Sequence, residues 1–148
     1  MLLLRVLIAA ALVVTAVIHL QLAPGYQQVP HDGIGQGTLF QVQAVASVAA
    51  ALYVLMRGTR PACLIAAVIA LSALVAVVLT RYVPLPAMGP FPSMYEPAWY
   101  PAKTLSAVVE GLAAALSCAG YLLLSRAGAH LLDHPGRKEV SPEQASTP

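Results

Sequence analysis

Four long apolar runs dominate the pattern of hydrophobic and polar positions along the chain. They cover approximately residues 2–22, 38–56, 62–80 and 104–124. Because a helix rises about 1.5 Å per residue, a run of roughly 20 residues spans about 30 Å, the thickness of the hydrocarbon core of a bilayer. Each run therefore predicts a transmembrane helix.

The segments between these runs differ in kind. Residues 23–37 are rich in Gly and Pro, without helical periodicity, and predict an exposed loop. Residues 57–61 form a basic turn too short to cross a membrane, so the third helix should return beside the second. Residues 81–103 combine prolines with aromatic residues, which is typical of a loop lying along lipid headgroups. The pattern predicts an all-α integral membrane four-helix bundle with antiparallel up-down topology over residues 1–132, followed by a disordered cytoplasmic tail at 133–148.

The first run has a competing interpretation as a cleavable signal peptide. Arg5 precedes a long apolar stretch, as in a secretory signal. The run ends in Gln21, Leu22, Ala23 and Pro24, however, and not in a cleavage site flanked by small residues. We expect a retained helix, and cleavage remains the alternative.

Composition supports a membrane protein and excludes several other classes. Hydrophobic residues make up 59% of the chain and charged residues only 9%, against about 25% charged in ordinary soluble domains. A net charge of +2 is too small for a nucleic-acid-binding surface, so no nucleic-acid partner is expected. Cys63 and Cys118 lack the spacing of a zinc site or a dithiol redox motif.

The distribution of basic residues predicts the orientation, since Lys and Arg are enriched in cytoplasmic loops. On the predicted topology, Arg81 and Lys103 lie on one side. The other six basic residues lie on the opposite side: Arg5, Arg57, Arg60, Arg126, Arg137 and Lys138. This asymmetry predicts cytoplasmic N and C termini in a bacterial plasma membrane.

Small residues are candidates for helix packing, because close approach replaces the hydrophobic effect as the driving force between helices in lipid. They recur at four-residue spacing on two of the predicted helices. The stripes are Gly111, Ala115 and Ala119 on the fourth helix and Ala62, Ala66 and Ala70 on the third.

A buried acidic residue is the most informative feature. Glu110 lies six positions inside the fourth predicted helix, about 9 Å below its outer end, where an ionisable group normally needs a partner. Lys103, two turns nearer the surface on the same face, is one candidate counter-charge. His19 and Gln41 lie about 5 Å below the outer ends of the first and second helices. We predict that His19, Gln41 and Glu110 form one polar layer.

Two interpretations of this layer remain open. It is either a polar clasp that fixes which helix faces meet, or a pocket in which Glu110 binds a proton or cation and His19 assists. A clasp predicts that Glu110→Gln keeps function and reduces stability modestly. A proton site predicts lost activity in a folded protein.

No catalytic residue, metal site or cofactor is predicted. His31, Asp32, Met88 and Met94 lack the spacing of a metal site. His19 is the only histidine within a predicted span, so one chain cannot supply two axial ligands to a haem. No motif for a nucleophile and base, a phosphate loop or paired carboxylates is present.

One stretch of the chain resembles known membrane proteins. The matching residues are His19, Leu20, Gln21, Leu22, Gly25, Tyr26, Pro30, Gly35, Phe40 and Gln41, with Glu110 further along. They resemble small four-helix membrane proteins of high-GC actinobacteria and, more distantly, the DoxX-like family. The resemblance implies a four-helix bundle in the plasma membrane, in some cases an accessory to redox or envelope machinery.

Three functional hypotheses follow. The first is an accessory or interaction subunit, a homo-oligomer or part of a larger membrane complex, whose partners are the lipid bilayer and other proteins. The second is a small carrier or ligand-binding protein for a proton-coupled solute or a quinone, using Glu110 and His19. The third is a redox enzyme subunit whose partner supplies the cofactor.

Overall fold

The computed structural model describes residues 1–27, 34–89, 91 and 93–132, and the side chains as far as residue 127. The described part is all-α, with no strands. Its four long helices and one short 3₁₀ helix are α1 (Leu2–Leu22), a 3₁₀ turn (Ala23–Tyr26), α2 (Gln36–Arg57), α3 (Arg60–Tyr82) and α4 (Pro101–Leu132).

The helices correspond to the four apolar runs and extend beyond most of them. Only α1 has the predicted bounds. The polar residues Gln36, Arg60 and Arg81 begin or lengthen helices because backbone hydrogen bonding continues past the apolar run. α4 begins at Pro101, a residue well suited to the first helical turn because its missing N–H would have no partner there. The predicted tail at 133–148 lies outside the described residues.

All four helices are long and apolar enough to cross a membrane. The spans are Leu2–Tyr26, Gln36–Arg57, Arg60–Tyr82 and Pro101–Ala127. Their outer faces carry large apolar side chains, including Val42, Val68 and Leu112, which are 62%, 57% and 53% exposed. A surface this apolar along four helices suits lipid, as expected of a multi-pass membrane protein.

The turn between α2 and α3 is set by one glycine. Gly58 adopts φ +54° and donates its N–H to the Val54 carbonyl at 2.9 Å, the usual way to end a helix. Thr59 then precedes α3, whose first turn contains Pro61. The Arg5 guanidinium donates to the Gly58 carbonyl at 3.4 Å, so the start of α1 lies against the end of α2. We call this the Arg5 end of the bundle.

The opposite end, which we call the His19 end, joins the end of α1 to the beginning of α2. The His19 ring packs edge-on against Phe40, with ring centroids 5.5 Å apart. Across the bundle, α1 contacts both α2 and α4, and α3 contacts both α2 and α4. The four helices therefore surround a common core.

Small residues fill much of that core. Ala62, Ala66 and Ala70 are almost completely buried, as expected for a packing stripe on α3. The proposed stripe on α4 lies elsewhere: Ala115 and Ala119 are exposed and Gly111 is only partly buried. The face of α4 that enters the core includes Lys103, Ser106, Glu110, Ala113, Ala114 and Ser117. The four-residue spacing identified a real helix face, but that face points out of the bundle.

The segment between α3 and α4 folds back over the His19 end. Leu85 and Met94 exchange backbone hydrogen bonds of 3.1 and 2.9 Å, and Met88 and Phe91 form a second pair. Gly89, with φ +57°, lies in the turn. This paired loop brings the following residues, from Met94 to Tyr100, over the bundle.

Candidate functional site

A cavity of about 550 Å³ lies at the His19 end, within the usual size range of small-molecule sites. Apolar side chains of α2 and α3 form much of its wall. Polar groups reach it from all four long helices, from the 3₁₀ turn and from the loop before α4. Its polar lining comprises His19, Tyr26, Gln36, Gln43, Ser72, Thr80, Tyr95, Glu96, Tyr100, Lys103 and Ser106.

Glu110 does not line the cavity itself but lies directly behind Ser106, which does. It is fully buried, with 0% exposure, and the Ser106 hydroxyl donates to its Oε1 atom at 2.6 Å. Ser106 itself lines the cavity. Oε2 of Glu110 is also buried and has no hydrogen-bond partner among the described residues. Glu110 is therefore separated from the cavity by a single hydroxyl group.

His19 brings the cavity into contact with Glu110 from the α1 side. Its Nδ1 atom lies 2.9 Å from the Thr15 carbonyl oxygen. A carbonyl can only accept, so Nδ1 carries a hydrogen and donates it. The other ring nitrogen, Nε2, lies 3.7 Å from Oε1 of Glu110. The tautomer of His19 is thus fixed by its own helix, and Nε2 faces the carboxyl group.

The chemistry of this pair requires a proton. If His19 were neutral and Glu110 ionised, a nitrogen lone pair would face a carboxylate in a buried site. A proton on Nε2 gives an ion pair, and a proton on Glu110 gives a neutral pair. Either state removes the conflict. His19 and Glu110 therefore form a buried polar pair at the cavity wall.

Glu96 organises the rim of the cavity through three separate hydrogen bonds. Its N–H donates to the Thr80 carbonyl at 2.9 Å, and its own carbonyl accepts from Lys103 Nζ at 2.7 Å. Its two carboxylate oxygens lie 2.8 and 2.7 Å from the Tyr26 hydroxyl. One residue thus connects the loop to α3, to α4 and to the 3₁₀ turn after α1.

Two tyrosines extend this network. The Tyr26 hydroxyl lies 3.0 Å from that of Tyr100. Because Tyr26 donates its only hydrogen to Glu96, Tyr100 is the donor to Tyr26. Burial, with the nearby Glu96 carboxylate, raises the pKa of the Tyr100 phenol above its ordinary value. Tyr100 therefore stays protonated and keeps its role as a donor.

The predicted polar layer is present in part. His19 and Glu110 meet, as expected. Gln41 is exposed on the outside of α2. Gln43 lies at the cavity instead and donates to the Ile69 carbonyl of α3 at 3.2 Å. Lys103 is buried but donates to Glu96, so the candidate ion pair between Lys103 and Glu110 does not form.

The position of Gln43 was detectable in the sequence. Gln43 shares a helical face with Ser47 and Ala51, which are small and buried, whereas Gln41 lies on the face of Val45 and Val48. Glu96 gave no such signal, because a single acidic residue in a Pro-rich loop ordinarily faces solvent.

Metal ligands do not cluster in the described part of the chain: no three His, Cys, Asp or Glu side chains come close enough to hold an ion. His31 and Asp32 lie outside the described residues.

Comparisons with known proteins add no identity: no family model, curated protein or solved structure matches the chain.

Proposed function

We propose that this chain is a multi-pass protein of the bacterial plasma membrane that binds a small ligand in the cavity at its His19 end. Ligand binding is coupled to the proton held by His19 and Glu110. The observation that carries the proposal is the position of this pair, which contacts the cavity through His19 and Ser106. A carrier that moves the ligand across the membrane would use the same site.

The distribution of basic residues supports an up-down arrangement with both termini in the cytoplasm. On that arrangement the Arg5 end lies at the cytoplasmic surface, together with Arg57 and Arg60. The cavity then lies in the outer leaflet, and the loop with Glu96 covers it from the outside. The resemblance to actinobacterial and DoxX-like proteins implies only a four-helix bundle in the plasma membrane and stays a prediction.

The protein should be extracted together with its surrounding lipids in polymer-bounded nanodiscs and analysed by native mass spectrometry. We expect a retained small molecule. Adding that molecule back to depleted protein should change the carboxylic-acid C=O band of Glu110 in infrared difference spectra. In Glu110→Gln this band should vanish while the helical circular dichroism is unchanged. A matched control is Glu96→Gln, which leaves the buried carboxyl group in place.

Two results would contradict the proposal. One is a protein that retains no small molecule when it is extracted with its lipids. The other is an infrared band of Glu110 that does not respond to the retained molecule, which would make the pair a structural clasp. Other ionisable groups at the cavity could contribute proton signals, namely Tyr26, Glu96, Tyr100 and Lys103. Comparison of the infrared spectra of Glu110→Gln and the parent protein separates their signals from that of Glu110.

An accessory or interaction subunit is the second candidate function. It is favoured by Ala115 and Ala119, two small residues one turn apart that are exposed on α4 and allow close approach of another helix. A protein that co-purifies in fixed stoichiometry, and is lost in Ala115→Leu, would support this function.

A further inference from the structure

The cavity has an opening on the side of the bundle, between α2 and α3. Four residues that line the cavity are also exposed on the outer surface: Val42 on α2, Ser72 and Ala76 on α3, and Tyr95 in the loop before α4. Of these, Val42, Ser72 and Ala76 lie side by side on the two facing helices, and we take them to mark the opening between α2 and α3. The cavity therefore communicates with whatever surrounds the helices.

The depth of this mouth identifies those surroundings as lipid chains. Val42 lies six residues after the start of α2, and Ala76 six residues before the end of α3, so both are about 9 Å below the helix ends. Ser72 is ten residues from the end of α3, about 15 Å deep, near the middle of the span. Water reaches this depth poorly, whereas acyl chains occupy it.

The end of the cavity at Lys103, away from the mouth between α2 and α3, offers hydrogen-bond donors to a ligand. The Lys103 ammonium has three N–H groups, and one of them is used by the Glu96 carbonyl. The Glu96 carboxylate is occupied by Tyr26. Nearby, Nε of Arg81 is buried and has no acceptor among the described residues. Two cations and one carboxylate leave this end positive, with N–H donors to spare.

Resting on the proposed function, we infer that the ligand is a membrane-dissolved amphiphile that enters sideways between α2 and α3. Its oxygen-bearing head group accepts hydrogen bonds from Lys103, and its apolar chain lies along Leu39, Val42 and Val77 through the mouth. A carboxylate and a neutral carbonyl share this chemistry. The positive charge at the head-group end favours the carboxylate.

The test uses a photoactivatable long-chain fatty acid and its methyl ester, each added to the full chain in nanodiscs. Cross-linked peptides are identified by mass spectrometry, and excess unmodified fatty acid is the competitor. We expect saturable labelling of α2 and α3 at the cavity that the competitor removes. Because annular lipid contacts do not saturate, competition distinguishes the cavity from the general lipid surface.

Two substitutions test the mouth and the head-group site separately. Ala76→Phe should block the mouth and lower competed labelling by about tenfold or more, a loss of about 1.4 kcal/mol. Its control is Val75→Phe, an exposed neighbour on α3 that does not line the cavity. Lys103→Gln should reduce labelling by the fatty acid more than labelling by its ester. A merely structural effect of Lys103 would reduce both equally.

Labelling that does not saturate would overturn the inference. So would equal labelling of Ala76→Phe and the parent protein. A third such result is full displacement of the probe from Ala76→Phe by hexanoate, a short water-soluble acid. The last two would indicate access from the aqueous side, beside the exposed Tyr95, and would leave the proposed function intact. A retained ligand that lacks an apolar chain would also overturn the inference while supporting the proposed function.

Discussion

His19 Nε2 and Glu110 Oε1 lie 3.7 Å apart, on side chains that come from opposite ends of the sequence and are almost completely buried. The distance is within ion-pair range but longer than a hydrogen bond. A proton can therefore reside on either the imidazole or the carboxyl group, and the two side chains face each other in both cases. Ser106 adds a hydrogen bond on the carboxyl side, and Thr15 adds one on the imidazole side.

Ser106→Ala should destabilise the protein. It removes a buried hydroxyl that donates to Glu110 at 2.6 Å, and such a bond contributes about 1 to 3 kcal/mol to the free energy of unfolding. The control is Ser117→Ala, because the Ser117 hydroxyl is buried on the same helix without a partner in the described residues. Ser117→Ala removes a buried hydroxyl that has no partner in the described part of the chain, so it should not lower the free energy of unfolding. Reversible unfolding in mixed micelles measures both, and equal losses would contradict the assigned role of Ser106.

Tyr26→Phe should loosen the loop that covers the cavity. The substitution removes the hydroxyl that donates to Glu96 and accepts from Tyr100, at a cost of about 1 to 2 kcal/mol locally. We expect faster amide hydrogen exchange in the peptide 93–100, with exchange in α1 to α4 unchanged. Tyr95→Phe is the control, since the Tyr95 ring is exposed. Unchanged exchange in Tyr26→Phe would show that the loop is held by other contacts.

Gly58→Ala should destabilise the turn between α2 and α3 for two reasons. A non-glycine residue at φ +54° costs about 1 to 2 kcal/mol, and a Cβ atom there would collide with the Arg5 guanidinium. Gly89→Ala has the same backbone cost at φ +57° but nothing within 4 Å of the new Cβ. The difference in unfolding free energy between the two variants therefore isolates the displacement of Arg5. A smaller loss in Gly58→Ala than in Gly89→Ala would refute this account.

The two small-residue stripes should respond differently to enlargement. Ala66→Leu inserts three carbons into the closed seam of α3 and should cost at least about 1 to 3 kcal/mol. Ala115→Leu lies on the outer surface of α4 and should leave the stability of the isolated chain unchanged. Gly111→Leu should fall between them, because Leu74 lies 3.9 Å from the position of its Cβ atom. Thermal unfolding in detergent ranks the three, and a large loss for Ala115→Leu would reveal a contact with another chain.

The sequence predicted the helices better than their rotation. Apolar runs locate helices along the chain, because each span must fill the bilayer with nonpolar side chains. The depth of His19 and Glu110 also followed from distance to the helix ends. The depth of a residue below the helix end does not say which way its side chain points. The predicted polar layer therefore contains Gln41, whereas the structure has Gln43 at the cavity. In lipid the inner and outer faces of a helix are both apolar, so hydrophobicity gives little information about rotation, and only side-chain size distinguishes the face of Gln43 from that of Gln41.

The contacts of Glu96 could not be predicted from the sequence for a different reason. Its partners Tyr26, Thr80 and Lys103 come from three helical segments, and their meeting depends on how the loop between α3 and α4 crosses the end of the bundle. Nothing in the local pattern around residue 96 specifies that path. Long-range contacts made by an irregular loop require the assembled bundle.

The bond between His19 and the Thr15 carbonyl has a mechanical consequence. Thr15 is one turn earlier in the same helix, so the ring is anchored to α1 itself. The hydrogen bond holds the imidazole ring in one orientation. His19 therefore cannot carry a proton from one side of the membrane to the other by rotating its side chain. If this protein exposes its proton to both sides in turn, the helices around the site must move while the imidazole stays in place.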